Sequence, residues 1–410
     1  MTPSNTLVKP SGRNLGDIQQ SNRSLILRLI RQHGSISRVE LARQSGLKQA
    51  TITYIINSFI EKGIVHETGL MPGTEGRRVK GVCLNTEDFR LFAVRIVSTY
   101  YLAGIFDLAG NCLKVEKRFF DPSTPAEAVI EKLSDEMEAY CEEIKGKSLL
   151  GIGIAIPSFH GKTQDGSMLT GAFPEDMEQR FEERFGVPVM IENDAKLAAY
   201  ARWNANMGMD KGIKGTLVCI LVSETLSCGI VINGKMHMGV GGMAGEIGHM
   251  GIDMNGIPCE CGNRGCLEKY ASVPAVMRML DERIKIYPET RLTQGCNIRE
   301  VIAAYNEKDP LAVSIYEDVA NCLGYAVANL INLMAPDRIT IGDEVPRTDP
   351  FLERIKDAVR RRVAPDVYQR TIIEYTTKER RRDRDVPMVG ASMMVSVMAL
   401  DSMIQNDERA

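Results

Sequence analysis

Residues 245–270 read GEIGHMGIDMNGIPCECGNRGCLEKY. His249, Cys259, Cys261 and Cys266 fall within eighteen residues of it, spaced H-x9-C-x-C-x4-C. One imidazole nitrogen and three sulfurs form a donor set for tetrahedral zinc, and with all four positions taken such a zinc is structural. A catalytic zinc does not suit the set, because no position is left for water. Four donors around one ion require the chain to double back within a few residues, and glycines at 256, 262 and 265 permit it. The alternative reading of the same residues is a group of buried free cysteines. The other seven, Cys83, Cys112, Cys141, Cys219, Cys228, Cys296 and Cys322, follow no disulfide framework, which suits a reducing cytosol and buried packing positions.

A chain of 410 residues predicts two or three domains. Its 44% hydrophobic and 25% charged residues are those of a soluble globular protein. No unbroken run of about 18 apolar residues appears, and the first thirty residues lack the apolar core of a signal peptide. The expectation is a cytoplasmic protein without membrane insertion. Charge is uneven: residues 1–90 hold 13 Lys/Arg against 7 Asp/Glu, a net of +6, while the whole chain is −3. A basic head on an acidic body points the head toward an anionic partner.

The head carries pattern as well as charge. In SNRSLILRLIRQHG, Leu25, Ile26, Leu29 and Ile30 form one helical stripe that ends at Gly34. SRVELARQSG predicts a short helix with Ser37 as N-cap and Glu40 completing a capping box. After the turn at Gly46, LKQATITYIINSFIEKG places Ile52, Ile55, Ile56, Phe59 and Ile60 at helical spacing. Two helices joined by a short glycine turn make a helix-turn-helix, whose second helix enters the DNA major groove by its N-terminal end. Lys48, Gln49, Thr51, Thr53 and Tyr54 lie there. IVHETG and RRVKGVCLN then read as two wing strands, with Arg77 and Arg78 near the tip suited to phosphates or a narrow minor groove. The alternative is a small helical domain whose hairpin touches only protein.

From about residue 91 the pattern changes to strands alternating with helices, an α/β body of two lobes with a cleft. The expected organisation is a polar tail over 1–20, a winged helix-turn-helix over 21–88, a small α/β lobe over 89–200, a large lobe with the zinc loop over 201–400, and a tail over 401–410. KERRRDRD at 378–385 reads as a solvated loop, and the methionines of PMVGASMMVSVMAL as core or a subunit interface.

AGEIGHMGID with CECGNRGCLEKYAS, IENDAKLAAYAR and LINLMAPDRITIGD together resemble the ROK family of sugar kinases and sugar-responsive repressors, and the winged head with its GRR tip resembles those of the repressor members. The resemblance covers nearly the whole chain after about residue 15. It implies an actin-like, sugar-kinase-type body, zinc at His249, Cys259, Cys261 and Cys266, and operator binding as a homodimer or homotetramer. It also implies a sugar pocket formed by Asn193, Asp194, Glu246, His249 and Glu268. Carboxylates and amides match the paired donors and acceptors of a sugar, and His249 would serve zinc with one ring nitrogen and the pocket with the other. Asn193 and Asp194 also read as a cap on the following helix.

The family's kinases cradle nucleotide phosphates on two glycine-bearing turns, where glycine lets backbone N–H groups approach closely. Here the first slot reads RIVST: Arg95 stands for the acid, Val97 and Ser98 for the glycines, and Thr99 remains. The second reads SETLS, with Ser223, Thr225 and Ser227 in glycine places and Glu224 adding negative charge. PSFHG departs from the family's Pro-Gly-Pro, with Ser158 in the glycine place and a new His160. The reading is therefore a regulator, expected to be a repressor without enzyme activity, that binds operator DNA and a sugar or sugar phosphate. The competing readings are an ATP-dependent sugar kinase carrying a DNA-binding head, and a regulator held by a protein partner with a vestigial pocket.

Overall fold

The computed structural model describes residues 15–72, 78–121, 123–157, 174, 176–207, 215–376 and 385–408. The chain divides into two compact units, one of residues 1–87 with 397–410 and one of residues 88–396.

In the first unit, α1 (Leu15–His33) leads into β1 (Ile36–Ser37), α2 (Arg38–Ser45) and α3 (Gln49–Glu61), followed by β2 (Val65–Pro72) and β3 (Arg78–Leu84). The helix begins at Leu15, inside the stretch assigned to a polar tail. Ile26, Leu27, Leu29 and Ile30 of α1, Leu41 of α2 and Ile52, Ile55, Ile56 and Phe59 of α3 are buried, so three apolar stripes share one core. Ser37 caps α2 by accepting from the Glu40 N–H at 3.2 Å. The reciprocal half of the expected capping box is replaced, because Glu40 turns its carboxylate to Arg43 and Gln44. Gly46 ends α2 at φ +71°, a left-handed conformation that glycine adopts without a Cβ clash. The three strands pair in the order β1-β3-β2.

The second unit is built on two five-stranded sheets. The first holds β4 (Phe89–Ile96), β5 (Tyr100–Phe106), β6 (Cys112–Phe119), β7 (Ser148–Ile156) and β8 (Val189–Asn193), with α4 (Ala126–Glu143) before β7 and α5 (Met177–Phe185) before β8. After α6 (Asp194–Arg202), the second sheet holds β9 (Thr216–Val222), β10 (Leu226–Ile232) and β11 (Lys235–Met236). The Cys/His segment, α7 (Glu268–Ala271), α8 (Val273–Arg283), α9 (Ile298–Asn306) and α10 (Pro310–Met334) lead to its fourth strand, β12 (Arg338–Asp343). Then come α11 (Asp349–Arg360), α12 (Pro365–Tyr368), β13 (Ile372–Tyr375) and α13 (Val386–Glu408). The sheet orders are β6-β5-β4-β7-β8 and β11-β10-β9-β12-β13. Each is an antiparallel three-strand meander extended by two parallel strands, so one topology occurs twice.

Packing follows from which face of each strand is apolar. Phe92, Val94, Ile96 and Ile154 of the first sheet meet Val129, Leu133 and Met137 of α4 and Phe181 of α5. The second sheet's Val218, Ile220 and Ile341 meet α10 through Val319, Leu323 and Val327, and α11 through Ile355. On its other face, Leu217, Cys219 and Val231 meet Ala195, Ala198, Ala199 and Trp203, so α6 and the residue after it belong to the layer on the second sheet. In α13, Ala391 lies against Gly153 of β7, and Gly390 lies so close to Leu197 that a Cβ there would sit 2.0 Å from its carbonyl oxygen. That contact explains an alanine- and glycine-bearing start to an otherwise methionine-rich helix. α13 continues to Glu408, so residues 401–408 are helix where a tail was expected.

Among the described residues, Val386–Met403 is an 18-residue window long and apolar enough to cross a membrane, with 56% of it buried. Polar residues interrupt the run, which is why no unbroken apolar stretch shows in the sequence. Of the seven dispersed cysteines expected to be buried, Cys219 and Cys228 are, and the other five are half-buried.

Candidate functional site

The Cys/His segment folds as a knuckle. Gly251 bridges Cys266 and Pro258 bridges Arg264, while the Cys259 N–H reaches Asn263 O at 2.8 Å and the Gly262 N–H reaches Cys259 O at 3.0 Å. Gly265 has φ +64°, and a Cβ there would lie 1.7 Å from Asp253 O, so only glycine closes the loop. The result brings one donor atom each from His249, Cys259, Cys261 and Cys266 within 4.8 Å of one another. Cys261 Sγ and Cys266 Sγ are 3.6 Å apart, and Cys259 Sγ is 3.7 Å from His249 Nδ1. Sulfurs at two corners of a zinc tetrahedron lie about 3.8 Å apart, given Zn–S near 2.3 Å. The donor types, number and spacing therefore fit a tetrahedral metal. Burial pushes the Cys259 and Cys266 thiols up, so a metal would have to draw off those protons on binding.

The knuckle is seated on the second sheet. The Cys228 N–H of β10 donates to Gly245 O at 2.8 Å. Glu268 Oε2 accepts the Leu226 N–H at 3.0 Å, tying the start of α7 to the start of β10. Glu246 is half-buried, and burial, with Glu268 adding to it and Lys196 opposing, pushes its carboxyl up to about 7. In its protonated form that carboxyl both donates and accepts, which suits a hydroxylated ligand.

Asn193 and Asp194 have other partners. The Asn193 side-chain oxygen caps α6, accepting from the Ala195 N–H at 3.0 Å and the Lys196 N–H at 3.2 Å. Asp194 is 1% exposed and takes a bond from Arg95 at 2.7 Å. Arg95, itself buried, also reaches Asp343 at 2.5 Å and Asp385 at 3.1 Å. Asp385 closes the segment read as a solvated loop. It is instead a carboxylate at the foot of α13, and residues 378–384 lie outside the described residues. Sequence reasoning noted Arg95 as a lost acid but missed these partners. It also missed Lys196, which is 2% exposed within α6 and holds Glu192 at 3.1 Å and the Gly242 carbonyl oxygen. The available signal was a lysine in the apolar run DAKLAAYA, four residues after a glutamate.

The two turns in the phosphate-cradle slots bring Ser98 and Glu224 near each other. Burial pushes the Glu224 carboxyl up, and the neighbouring Ser98 hydroxyl opposes the shift. With Arg95 and Glu224 in these slots, neither turn presents a glycine backbone to a phosphate.

In the head, Lys48, Gln49, Thr53 and Tyr54 are exposed at the start of α3, and Thr51 is half-buried. Tyr54 shows 57% of its surface, while Thr53 turns its hydroxyl back to Gln49 O at 3.0 Å. Arg78 opens β3, exposed and paired in register with Pro72. Arg77, like Ser158 and His160, lies outside the described residues.

Residues 91–397 match the ROK family model, and residues 21–66 match a model of winged helix-turn-helix DNA-binding domains. A xylose repressor of Bacillus spizizenii is 26% identical over 94% of this chain and 97% of its own length. The DNA-binding transcriptional dual regulator NagC of Escherichia coli is 29% identical over 83% and 84%. Among solved structures, a ROK family transcriptional regulator homologous to the E. coli MLC protein superposes with TM-score 0.76 at 27% identity, over 94% of this chain and 98% of that one. A ROK glucokinase of Streptomyces griseus, solved with glucose and AMPPNP, gives TM-score 0.62 at 25% identity over 74% of this chain and 98% of its own, and so shares the body. A winged helix-turn-helix joined to an actin-like, sugar-kinase-type body carries the family's features in both units, and the chain belongs to the ROK family.

Proposed function

We propose that this protein is a sugar-responsive transcription regulator, and specifically a repressor that works in the cytoplasm as a homodimer or homotetramer. The observation that carries the reading is a sugar-kinase body whose two phosphate turns lack their glycines, with Arg95 paired to Asp194 and Glu224 adding negative charge, joined to a head that exposes the start of a recognition helix. Lys48, Gln49, Thr51, Thr53 and Tyr54 meet operator bases and phosphates, and Arg77 and Arg78 of the wing meet the backbone or minor groove.

Zinc at His249, Cys259, Cys261 and Cys266 is structural in this reading, bracing the wall that carries Glu246 and Glu268. When bound it supplies rigidity; hydrogen bonding to the effector falls to the chain's own carboxylates. The effector is a sugar or sugar phosphate lying against Glu246, Glu268 and the edge of His249. Asn193 shapes the pocket from the cap of α6, and Asp194 does so from its pair with Arg95. The relatives named for xylose and for N-acetylglucosamine regulation support a carbohydrate and do not choose one. For a sugar to act it must bind one arrangement of the heads better than another, since equal binding shifts nothing.

Selection of genomic DNA fragments on the immobilised protein, followed by elution with single sugars, tests the reading. Recovery of a pseudo-palindromic site released by one sugar is expected. Sugar-dependent release of ADP from ATP would favour a kinase. A site that no sugar releases would favour control by a protein partner.

A further inference from the structure

Arg95 lies on β4, the middle strand of the first sheet, and its side chain is 2% exposed. Its guanidinium touches carboxylates on three other elements: Asp194 at the start of α6, Asp343 at the end of β12, and Asp385 just before α13. The contacts span 99, 248 and 290 residues of sequence, so nothing local holds the group together. Asp343 belongs to the second sheet and sits at φ +76°, where a residue with a Cβ is strained. Arg95 Nε is buried without a hydrogen-bond partner. The chain thus accepts backbone strain and an unmet donor in order to converge three carboxylates on one cation.

Convergent carboxylate oxygens around a single positive centre are what a divalent ion such as Mg2+ or Mn2+ recruits. A guanidinium fills the same place with a permanent charge and a planar fork that grips two carboxylates at once. The position is also the first phosphate slot, where a kinase of this fold meets the charges of its nucleotide. We propose that Arg95 is a built-in cation, an internal latch between the two sheets of the body that replaces the bridging by nucleotide and metal. The body then holds its two halves together with neither present. The latch rests on ion-pair geometry and is independent of which effector the pocket takes; its standing in for nucleotide and metal rests on the regulator reading above.

The test is thermal unfolding of the full-length, zinc-loaded protein, as wild type and as Arg95→Ala, titrated with MnCl2. Arg95→Ala should lower the Tm by roughly 5–10 °C, as expected for stranded buried carboxylates. Mn2+ should recover much of that loss in Arg95→Ala, but not in wild type or in the double variant Arg95→Ala/Asp343→Asn. Absence of recovery, or equal recovery in wild type or the double variant, overturns the proposal. If Arg95→Ala does not fold, Arg95→Lys keeps the charge but loses the fork, and hydrogen exchange reads the result. Faster exchange at the ends of both β4 and β12 supports a latch between the sheets. Faster exchange on β4 alone, or no change, overturns it.

Discussion

Two polar clusters lie in the body, and they are opposites in sequence. The Cys/His knuckle gathers its donors across separations of 5, 10 and 17 residues. The Arg95 cluster gathers four charged groups across up to 290 residues. The first is a local device: glycines and short backbone bonds shape it, and its four donors fit a tetrahedral metal. The second exists only once both sheets, α6 and α13 have assembled. It is complete without a ligand, because the cation is part of the chain. One cluster should therefore respond to metal supply and the other to mutation alone.

The largest effect is expected from breaking the knuckle. Cys261→Ser should lose zinc and destabilise the body by on the order of 5 kcal/mol, read by metal analysis and denaturant unfolding. A strong chelator should do the same to wild type, and a wild-type protein isolated without zinc would end this account of the knuckle. Acid should act the same way on this cluster, since protons compete with metal for the thiolates.

Arg95→Met should cost about 3–5 kcal/mol, because it strands three carboxylates with no cation. Asp194→Asn should cost less, about 1–3 kcal/mol, because Asp343 and Asp385 still hold Arg95. Equal losses would mean that the Arg95–Asp194 pair matters and the wider cluster does not. A chelator should leave both differences unchanged.

The head provides a third, smaller contrast. Gln49→Ala should cost about 1–3 kcal/mol of operator affinity and relax preference at one base pair. Arg78→Ala should weaken binding about equally on all sequences and take about 1 off the slope of log affinity against log salt. Fluorescence anisotropy across a salt series separates the two, and neither change should alter body stability.

The smallest effect concerns a cation outside both clusters. Lys117 lies over the Tyr100 ring, and burial lowers its ammonium from its ordinary 10.5 to about 8, with Arg299 adding to the shift. A lowered folded value means that charging the group opposes folding. The cost is fully present below pH 8 and fades as pH rises toward 10.5. Lys117→Met should therefore be more stable than wild type by about 1 kcal/mol at pH 7, after allowance for solvent screening. That advantage should vanish above pH 10.5. An advantage independent of pH would assign the effect to packing.

The contrast between the clusters also explains what was legible in the sequence. Ser37, Gly46 and the isoleucines of α3 act within one or two helical turns, and the head reads correctly from them. His249, Cys259, Cys261 and Cys266 sit in one short loop, so their convergence is equally legible. Arg95 was visible as a residue that breaks a phosphate turn, but its partners were not, because no periodicity links position 95 to 343 or 385. Asp385 was misread for the same reason: RRDRD looks like a solvated charge run until its last aspartate, just before α13, is seen to pair with Arg95. The missing half of the capping box at Glu40 has a local cause, since Arg43 one turn on offers a charged partner that outcompetes a backbone N–H.

The most direct measurement is thermal unfolding of the zinc-loaded full chain against a panel of sugars and sugar phosphates, each with and without Mg·ATP. A ligand at 100 times its Kd adds about 2.7 kcal/mol, a readable shift. The account predicts that one carbohydrate raises the Tm by the same amount with or without Mg·ATP, that Mg·ATP alone does nothing, and that no ADP forms. Stabilisation by Mg·ATP alone, or consumption of ATP with the stabilising sugar, would contradict it.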